Sequence, residues 1–487
     1  MSSNRQSLSK GGLYYLLYNV LNVAFPFVTG IYVARVLLPE SIGEVTAAQN
    51  LAQYFVILAF LGIPTYGLRE IAKTRNDRAG RDQVFSELFV INLISTIAFS
   101  VLYLALVLAV PAYRASLPLY LVTGISIVLN ALNVSWLFEG LEEFRFISIR
   151  NLAFKALSFI MLVIFVRGPE DYIVYALITV LGTAGNYLVN MAFSPRFARI
   201  RFRGLNLKRH LKSILFLVAV NLAIELYSLM DVTMMNFLSG KESIAFYKYG
   251  HNIEKILLQI VNTFTMVLIP RITYCHKTGD RDEFNRLVSK AFKLILITSV
   301  PMIIGICFTA DFLIVKMYGE AYLSSAAVLK LFSVLLLISP IGYLLGSRML
   351  LVTDHENQML ISVGIGAMVN LIGNLLLIPR FQEYGATWAS IISELAVMVV
   401  YVILGKKYFK LSGVLKTTLK VSAGAGIMFM YLFGVRFLPL NGWILLALEI
   451  AGAVIIYVLA LALLKESVTR EYLTVLRQKL ERLRKSK

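Results

Sequence analysis

The chain has 487 residues, 58% of them hydrophobic and 15% charged, with a mean hydropathy of +0.74 and a formal charge of +19. That balance excludes a soluble globular domain. Apolar stretches of spanning length recur from end to end, and a transmembrane helix needs only about 20 mostly apolar residues because its backbone satisfies its own hydrogen bonds.

Fourteen spans are predicted, at 12–37, 42–68, 83–110, 117–139, 146–166, 171–193, 213–238, 243–270, 287–309, 322–347, 357–379, 384–404, 414–435 and 441–464. The first is too long for a signal-peptide core and is followed by no small-residue cleavage site, so it is expected to stay in the mature protein. It holds Arg35, close to its end, and Pro39-Glu40 then stops the helix. Asn50 lies in the second span, Lys155 in the fifth with Asn151 one turn before it, and Glu225 and Asp231 in the seventh.

The eighth span reads FYKYGHNIEKILLQ. Lys248, His251, Asn252, Lys255 and Gln259 sit at i, i+3, i+4, i+7 and i+11, which puts them on one helix face. A charge at the bilayer centre costs on the order of 3 kcal/mol by insertion scales. The stripe is therefore expected to face water, protein or an anionic ligand. Lys330 is a further cation, in the tenth span. Asn130/Asn133, Asn186/Asn190 and Asn370/Asn374 are paired amides, for which interhelical hydrogen bonding is the structural reading.

Charge placement sets the expected orientation. Of the 47 Lys and Arg, alternate loops and the two ends hold 36, the opposite set holds six (Arg114, Arg167, Lys241, Lys316, Arg380 and Arg436), and five lie within spans. By the positive-inside rule both termini are expected in the cytoplasm. The tail after Lys465 places Tyr472, Leu473, Val475, Leu476, Leu480 and Leu483 at helical spacing between basic residues. It reads either as a segment lying on anionic lipid or as a solvated basic tail.

No enzyme motif accompanies the spans. There is no GxxxxGK[ST], HExxH or GxSxG. Cys275 and Cys307 have no metal-ligand spacing, and Gly279-Asp280-Arg281-Asp282 is surrounded by basic residues. No catalytic residue is assigned.

Sliding the chain against itself by 202 positions sets Asn19 on Asn221, Glu40-Ser41-Ile42 on Glu242-Ser243-Ile244, Asn50 on Asn252 and Arg69 on Arg271. At an offset of 200, Arg81-Asp82 meets Arg281-Asp282. The expected fold is all-α and polytopic, with two six-helix lobes in a parallel repeat plus two C-terminal helices. The expected divisions are an N-lobe at 1–193, a basic cytoplasmic linker at 194–212, a C-lobe at 213–404, the last two spans at 405–464 and a basic tail at 465–487.

The pattern AR-x-L-x-P-E-x-x-G, present as Ala34-Arg35-Val36-Leu37-Leu38-Pro39-Glu40-Ser41-Ile42-Gly43, the basic loop after the second span and the twofold lobes together resemble the polysaccharide and O-antigen flippases. These belong to the multidrug/oligosaccharidyl-lipid/polysaccharide exporter superfamily. The resemblance implies translocation of undecaprenyl-diphosphate-linked oligosaccharide from the cytoplasmic to the outer leaflet of a bacterial inner membrane, by alternating access. It implies membrane lipids and polysaccharide polymerase machinery as partners, a monomer, and no nucleic acid.

Against that background Arg35, Asn50, Lys155, Lys248, His251, Asn252 and Lys255 are the candidate substrate-binding residues. For Arg35 the alternatives are snorkelling to headgroups and lining the outer cavity. For the stripe they are pairing with Glu225, Asp231 or Glu254 and clamping a diphosphate. Asp231, Asn370, Asn374 and Thr387 supply oxygen ligands suited to Na⁺, and resemblance to the lipid II flippases suggests a site there. Protonation of Glu225 or Asp231 is the rival coupling event. The competing functions are a cation-coupled multidrug exporter and a membrane glycosyltransferase or polymerase.

Overall fold

A computed structural model describes residues 25–352, 356–406, 408–440, 442–472, 474 and 478. All the secondary structure among them is helical. Asn19, the first half of the first expected span and most of the tail positions, Leu473, Val475, Leu476, Leu480 and Leu483 among them, lie outside these residues.

Among the described residues ten helices are long and apolar enough to cross a membrane, and two shorter apolar helices, Phe25–Val36 (α1) and Leu117–Leu132, fall where the first and fourth spans are expected. Within the most apolar window of Arg78–Ala109 only 33% of residues are buried. Ile94, Ile97, Val101, Leu102 and Leu104 on that helix are exposed. In water such a face would be an aggregation surface; here it is the face presented to hydrocarbon. The chain is a multi-pass membrane protein.

The residues form two compact units, Met1–Ala245 and Phe246–Lys487. In the first, α2 (Pro39–Phe60) ends where Leu61 and Gly62 adopt left-handed backbone angles, φ 48° and 69°, and α3 (Ile63–Lys73) starts with Pro64 in its first turn. The expected span 42–68 is thus two helices. Hydropathy runs through the junction, but the left-handed pair breaks the helical ladder, and glycine takes such a φ without steric cost. α3 packs closely on the short Ser135–Gly140 helix. A Cβ at Gly67 would meet the Trp136 ring at 2.6 Å, and Ile63, Ile71, Phe85, Trp136 and Phe138 form the core beneath.

α4 (Arg78–Ala109) is capped by Asp77, whose Oδ1 accepts from Gly80 N at 3.0 Å. The basic stretch 194–212 returns to the start of α4. Asp82 Oδ1 accepts from Arg199 N (3.0 Å) and Ser86 Oγ accepts from Arg201 N (2.8 Å). Glu87, fully buried, accepts from Asn206 N (2.8 Å), Arg209 Nε (2.8 Å) and His210 Nε2 (2.7 Å). The stretch expected to divide the lobes at 194–212 packs inside the first unit, which runs on to Ala245. α5 (Phe144–Phe165), α6 (Tyr172–Ala184) and α7 (Lys208–Leu238) follow, the last covering the expected seventh span.

α8 (Lys241–Met266) leads into the second unit, where α9 (Ile269–Thr278) ends at Gly279 with φ 77°. α10 (Arg281–Tyr318) is capped by Asp280, which accepts from Glu283 N at 3.1 Å. Asn285 Oδ1 then accepts from Lys410 N (2.7 Å) and Ser289 Oγ from Ser412 N (3.0 Å). Both capped helices, with equivalent clasps behind them, start 203 residues apart. The structural repeat therefore pairs Asp82 with Asn285 rather than with Asp282, because the loops before α4 and α10 differ in length from what the matched Arg-Asp dipeptides suggested.

α11 (Ser324–Phe332) precedes the long helix α12 (Glu356–Gly405), which is interrupted at Gln382 (φ 50°, ψ −124°). Its halves run antiparallel: Gly373 lies against Ala389 and Gly366 against Val397. The expected spans 357–379 and 384–404 are these two halves.

Candidate functional site

On α8 the sequence puts five polar residues on one face, and the second unit divides them by role. Lys255 and Gln259 are exposed, and Lys248, His251 and Asn252 are half-buried. His251 is held by rings: Phe332 on α11 stacks on it at 4.7 Å and 24°, and Tyr247 meets it edge-on at 5.4 Å. Its Nε2 lies 3.6 Å from Glu254 Oε2. Glu254 is 1% exposed, and its Oε1 makes no hydrogen bond among the described residues. Lys255 follows it directly in the chain. α8 approaches α11 this closely because Gly250 faces Val328, where a Cβ would lie 2.7 Å away.

The two lysines are seven residues apart, so their Cα atoms are about 10.5 Å apart along the axis. Lysine side chains are long enough to span that distance to a shared anion. Lys248 and Lys255 are the two cations of the stripe, and an ammonium group contacts an anion through charge-assisted hydrogen bonds.

The α12 hairpin gathers neutral oxygens. Asn370, Asn374 and Thr387 are all buried. Asn374 Nδ2 donates to Asn370 Oδ1 at 3.1 Å, and Thr387 Oγ1 donates to the Glu383 carbonyl at 2.7 Å. The hairpin register puts Asn374 level with Thr387. Thr387 keeps its oxygen lone pairs for a cation, whereas Asn370 Oδ1 already accepts one bond. These residues fit a weakly held, hard cation in part, and the set within this unit carries no charge unless Glu383, buried beside it, contributes. Sequence reading missed Glu383, which directly follows the Gln382 break and falls in the gap between the expected spans 357–379 and 384–404. Tyr247 OH and Ser390 Oγ, 3.3 Å apart, tie α8 to the same hairpin.

In the first unit Asn50 is 9% exposed, and its Nδ2 donates to Thr233 Oγ1 (2.8 Å) and the Leu229 carbonyl (3.2 Å). Tyr54 OH shares Thr233 at 2.9 Å. Asp231, 7% exposed on the same turn of α7, interacts electrostatically with Tyr54. Asp231 belongs to this unit, and Asn370, Asn374 and Thr387 belong to the other. Arg35 is exposed at the last turn of α1. Lys155 is half-buried, its Nζ 5.8 Å above the Phe25 ring, and Tyr32 OH joins α1 to α5 through the Val166 carbonyl at 2.8 Å.

Other intramembrane polar groups are structural. Lys330 pairs with Asp311 at 2.6 Å. Of the paired amides Asn190 makes an interhelical bond, Nδ2 to Ser135 Oγ at 2.9 Å, while Asn186 bonds within its own stretch of chain; Asn92 Nδ2 donates to the Asn130 backbone carbonyl at 2.9 Å.

The described residues form a polytopic bundle of membrane-spanning helices with cations on them, and among these residues no group of three or more His, Cys, Asp or Glu could hold a metal ion. Residues 8–276 match the model of the polysaccharide biosynthesis protein family, and the chain belongs to that family. It is 21% identical over 403 residues to a putative O-antigen transporter of Escherichia coli K12, covering 81% of this chain and 95% of that one. It is 24% identical over 410 residues to a putative O-antigen transporter of Shigella dysenteriae, covering 83% and 100%. Its fold matches a solved structure of lipid II flippase MurJ in an inward closed conformation with a TM-score of 0.71 and 15% identity, over 95% of this chain and 99% of that chain. These relatives are transporters and flippases rather than enzymes.

Proposed function

We propose that the chain flips undecaprenyl-diphosphate-linked oligosaccharide repeat units from the cytoplasmic to the outer leaflet of a bacterial inner membrane by alternating access, for cell-surface polysaccharide assembly. The observation that carries this reading is the pair Lys248 and Lys255 on one face of an intramembrane helix, beside a histidine stacked on Phe332. A diphosphate brings two or more anionic oxygens, and two convergent ammonium groups match it. Arg35, Asn50, Lys155, His251 and Asn252 complete the proposed headgroup-binding set, and the prenyl tail stays in lipid. Membrane lipids and a polysaccharide polymerase are the proposed partners of a monomer with cytoplasmic termini.

Coupling is proposed to run through Na⁺ at Asp231, Asn370, Asn374 and Thr387, with protonation of Asp231 or Glu225 as the alternative. A cation-coupled multidrug exporter is the second reading, and the basic stripe disfavours it because organic cations need an acidic or aromatic cavity. Proteoliposomes containing the purified chain separate the two readings: transfer of lipid-linked oligosaccharide supports the flippase, and ethidium efflux without it supports the exporter.

A further inference from the structure

A second polar surface lies wholly within the first unit and contains no charge. Gln49, Gln53, Thr123, Ser126, Thr179, Thr183 and Tyr187, from α2, the Leu117–Leu132 helix, α6 and the segment that follows it, line a cavity of about 280 Å³ together with Ala52, Val56, Val180 and Ala184. Such a volume is at the small end of ligand sites, which run to about 1,000 Å³.

The hydrogen-bond pattern of the lining is directional. Ser126 Oγ donates to the Thr123 carbonyl (2.6 Å), Thr179 Oγ1 to the Tyr175 carbonyl (2.9 Å) and Thr183 Oγ1 to the Thr179 carbonyl (2.9 Å). Each hydroxyl proton is spent on its own helix, so each oxygen turns its lone pairs outward as an acceptor. Gln49 Nε2 is buried and makes no hydrogen bond among the described residues, so two N–H donors are available there. An orphaned buried amide costs about 1–3 kcal/mol, and it is tolerated most readily where a ligand completes it. Acceptors, an amide donor and a floor of alanine and valine are combined without a single ionised side chain.

We propose that this cavity binds a sugar residue of the transported lipid-linked saccharide, separately from the lysine stripe. A sugar hydroxyl both donates and accepts, as a serine hydroxyl does, and the aliphatic C–H face of the ring packs on Ala52, Val56 and Ala184. A diphosphate finds no cation here and would be desolvated without compensation. The assignment rests on the proposed function.

The test uses the full chain in nanodiscs, with Cys275 and Cys307 replaced by serine and Gln53→Cys or Thr183→Cys as the sole thiol. The probes are undecaprenyl diphosphate, which carries no sugar, and undecaprenyl-diphosphate-linked saccharide extracted from the membranes of the organism that encodes the chain. Labelling by a small methanethiosulfonate is expected to slow about tenfold with the sugar-bearing lipid and to stay within about twofold with undecaprenyl diphosphate. Gln49→Leu and the conservative Thr183→Val are each expected to weaken sugar-bearing lipid binding by about tenfold, leaving undecaprenyl diphosphate binding unchanged. If Gln49→Leu does not fold, Thr183→Val at its exposed position decides the matter. Sugar-bearing lipid that binds yet leaves labelling unprotected, or equal protection by both lipids, overturns the sugar site while the flippase reading stands. Failure of the wild-type chain to bind sugar-bearing lipid overturns both.

Discussion

Ser86 and Ser289, 203 residues apart, make the same contact: each hydroxyl oxygen accepts the backbone N–H of a returning segment, from Arg201 at 2.8 Å and from Ser412 at 3.0 Å. One turn earlier Asp82 and Asn285 accept from the residues two positions before, Arg199 and Lys410. Each unit thus closes its basic segment onto the start of its own capped long helix. Identity in role, with Asp replaced by Asn, is how an internal repeat persists after sequence similarity has faded.

The repeated clasp predicts topology. If both basic segments occupy the cytoplasmic end of their units, Leu205→Cys and Ser412→Cys will react with an impermeant maleimide only in inside-out vesicles. Reaction of either in intact spheroplasts sinks the orientation derived from charge.

The first unit's clasp has an electrostatic anchor in Glu87. Hydrogen bonds to a charged group are worth about 1.5–3 kcal/mol, reduced where the partner is as open to solvent as Arg209. Glu87→Ala is therefore expected to lower the thermal midpoint by several degrees, mainly through His210, which it leaves buried with Tyr66 at 2.9 Å and Arg209 Nε at 3.3 Å as side-chain partners. Glu87→Gln, which still accepts from Asn206 N, will lose less. Equal melting of all three proteins by scanning fluorimetry would show that the clasp does not contribute to stability.

Coupling is tested at Asp231. Replacing it by asparagine removes the only carboxylate of the proposed ion set, and it is expected to reduce the sodium dependence of transport more than headgroup binding. Flux measured across a series of sodium concentrations gives the answer. Intact sodium dependence in Asp231→Asn, or none in the wild type, rules the site out.

The sequence made the helices legible because hydrocarbon imposes a length and a composition on each one, and it put Lys248, His251 and Lys255 on one face because helical spacing is fixed. Breaks were unevenly visible. Leu61-Gly62 interrupts an apolar run without changing its hydropathy, whereas the break at Gln382 falls in the polar gap between the expected spans 357–379 and 384–404. Partners were least visible, since what Asn50 and His251 touch comes from helices far along the chain: Thr233 in one case and Phe332 in the other. Gln49 and Gln53, at i and i+4 on a span, were a readable signal for the uncharged cavity that charge-centred reading passed over.

The central claim is that the chain flips a diphosphate-linked saccharide using the two lysines of α8. The most direct measurement is translocation of undecaprenyl-diphosphate-linked oligosaccharide in proteoliposomes, read by glycosidase access to the sugar, for the wild type, Lys248→Ala, Lys255→Ala and Lys255→Arg. The account predicts transfer by the wild type and a loss of roughly one to two orders of magnitude in each alanine variant, the equivalent of one charge-assisted contact. It further predicts unchanged thermal midpoints and substantial recovery in Lys255→Arg. Full transfer by both alanine variants, or loss of transfer that follows loss of folded protein, would contradict it.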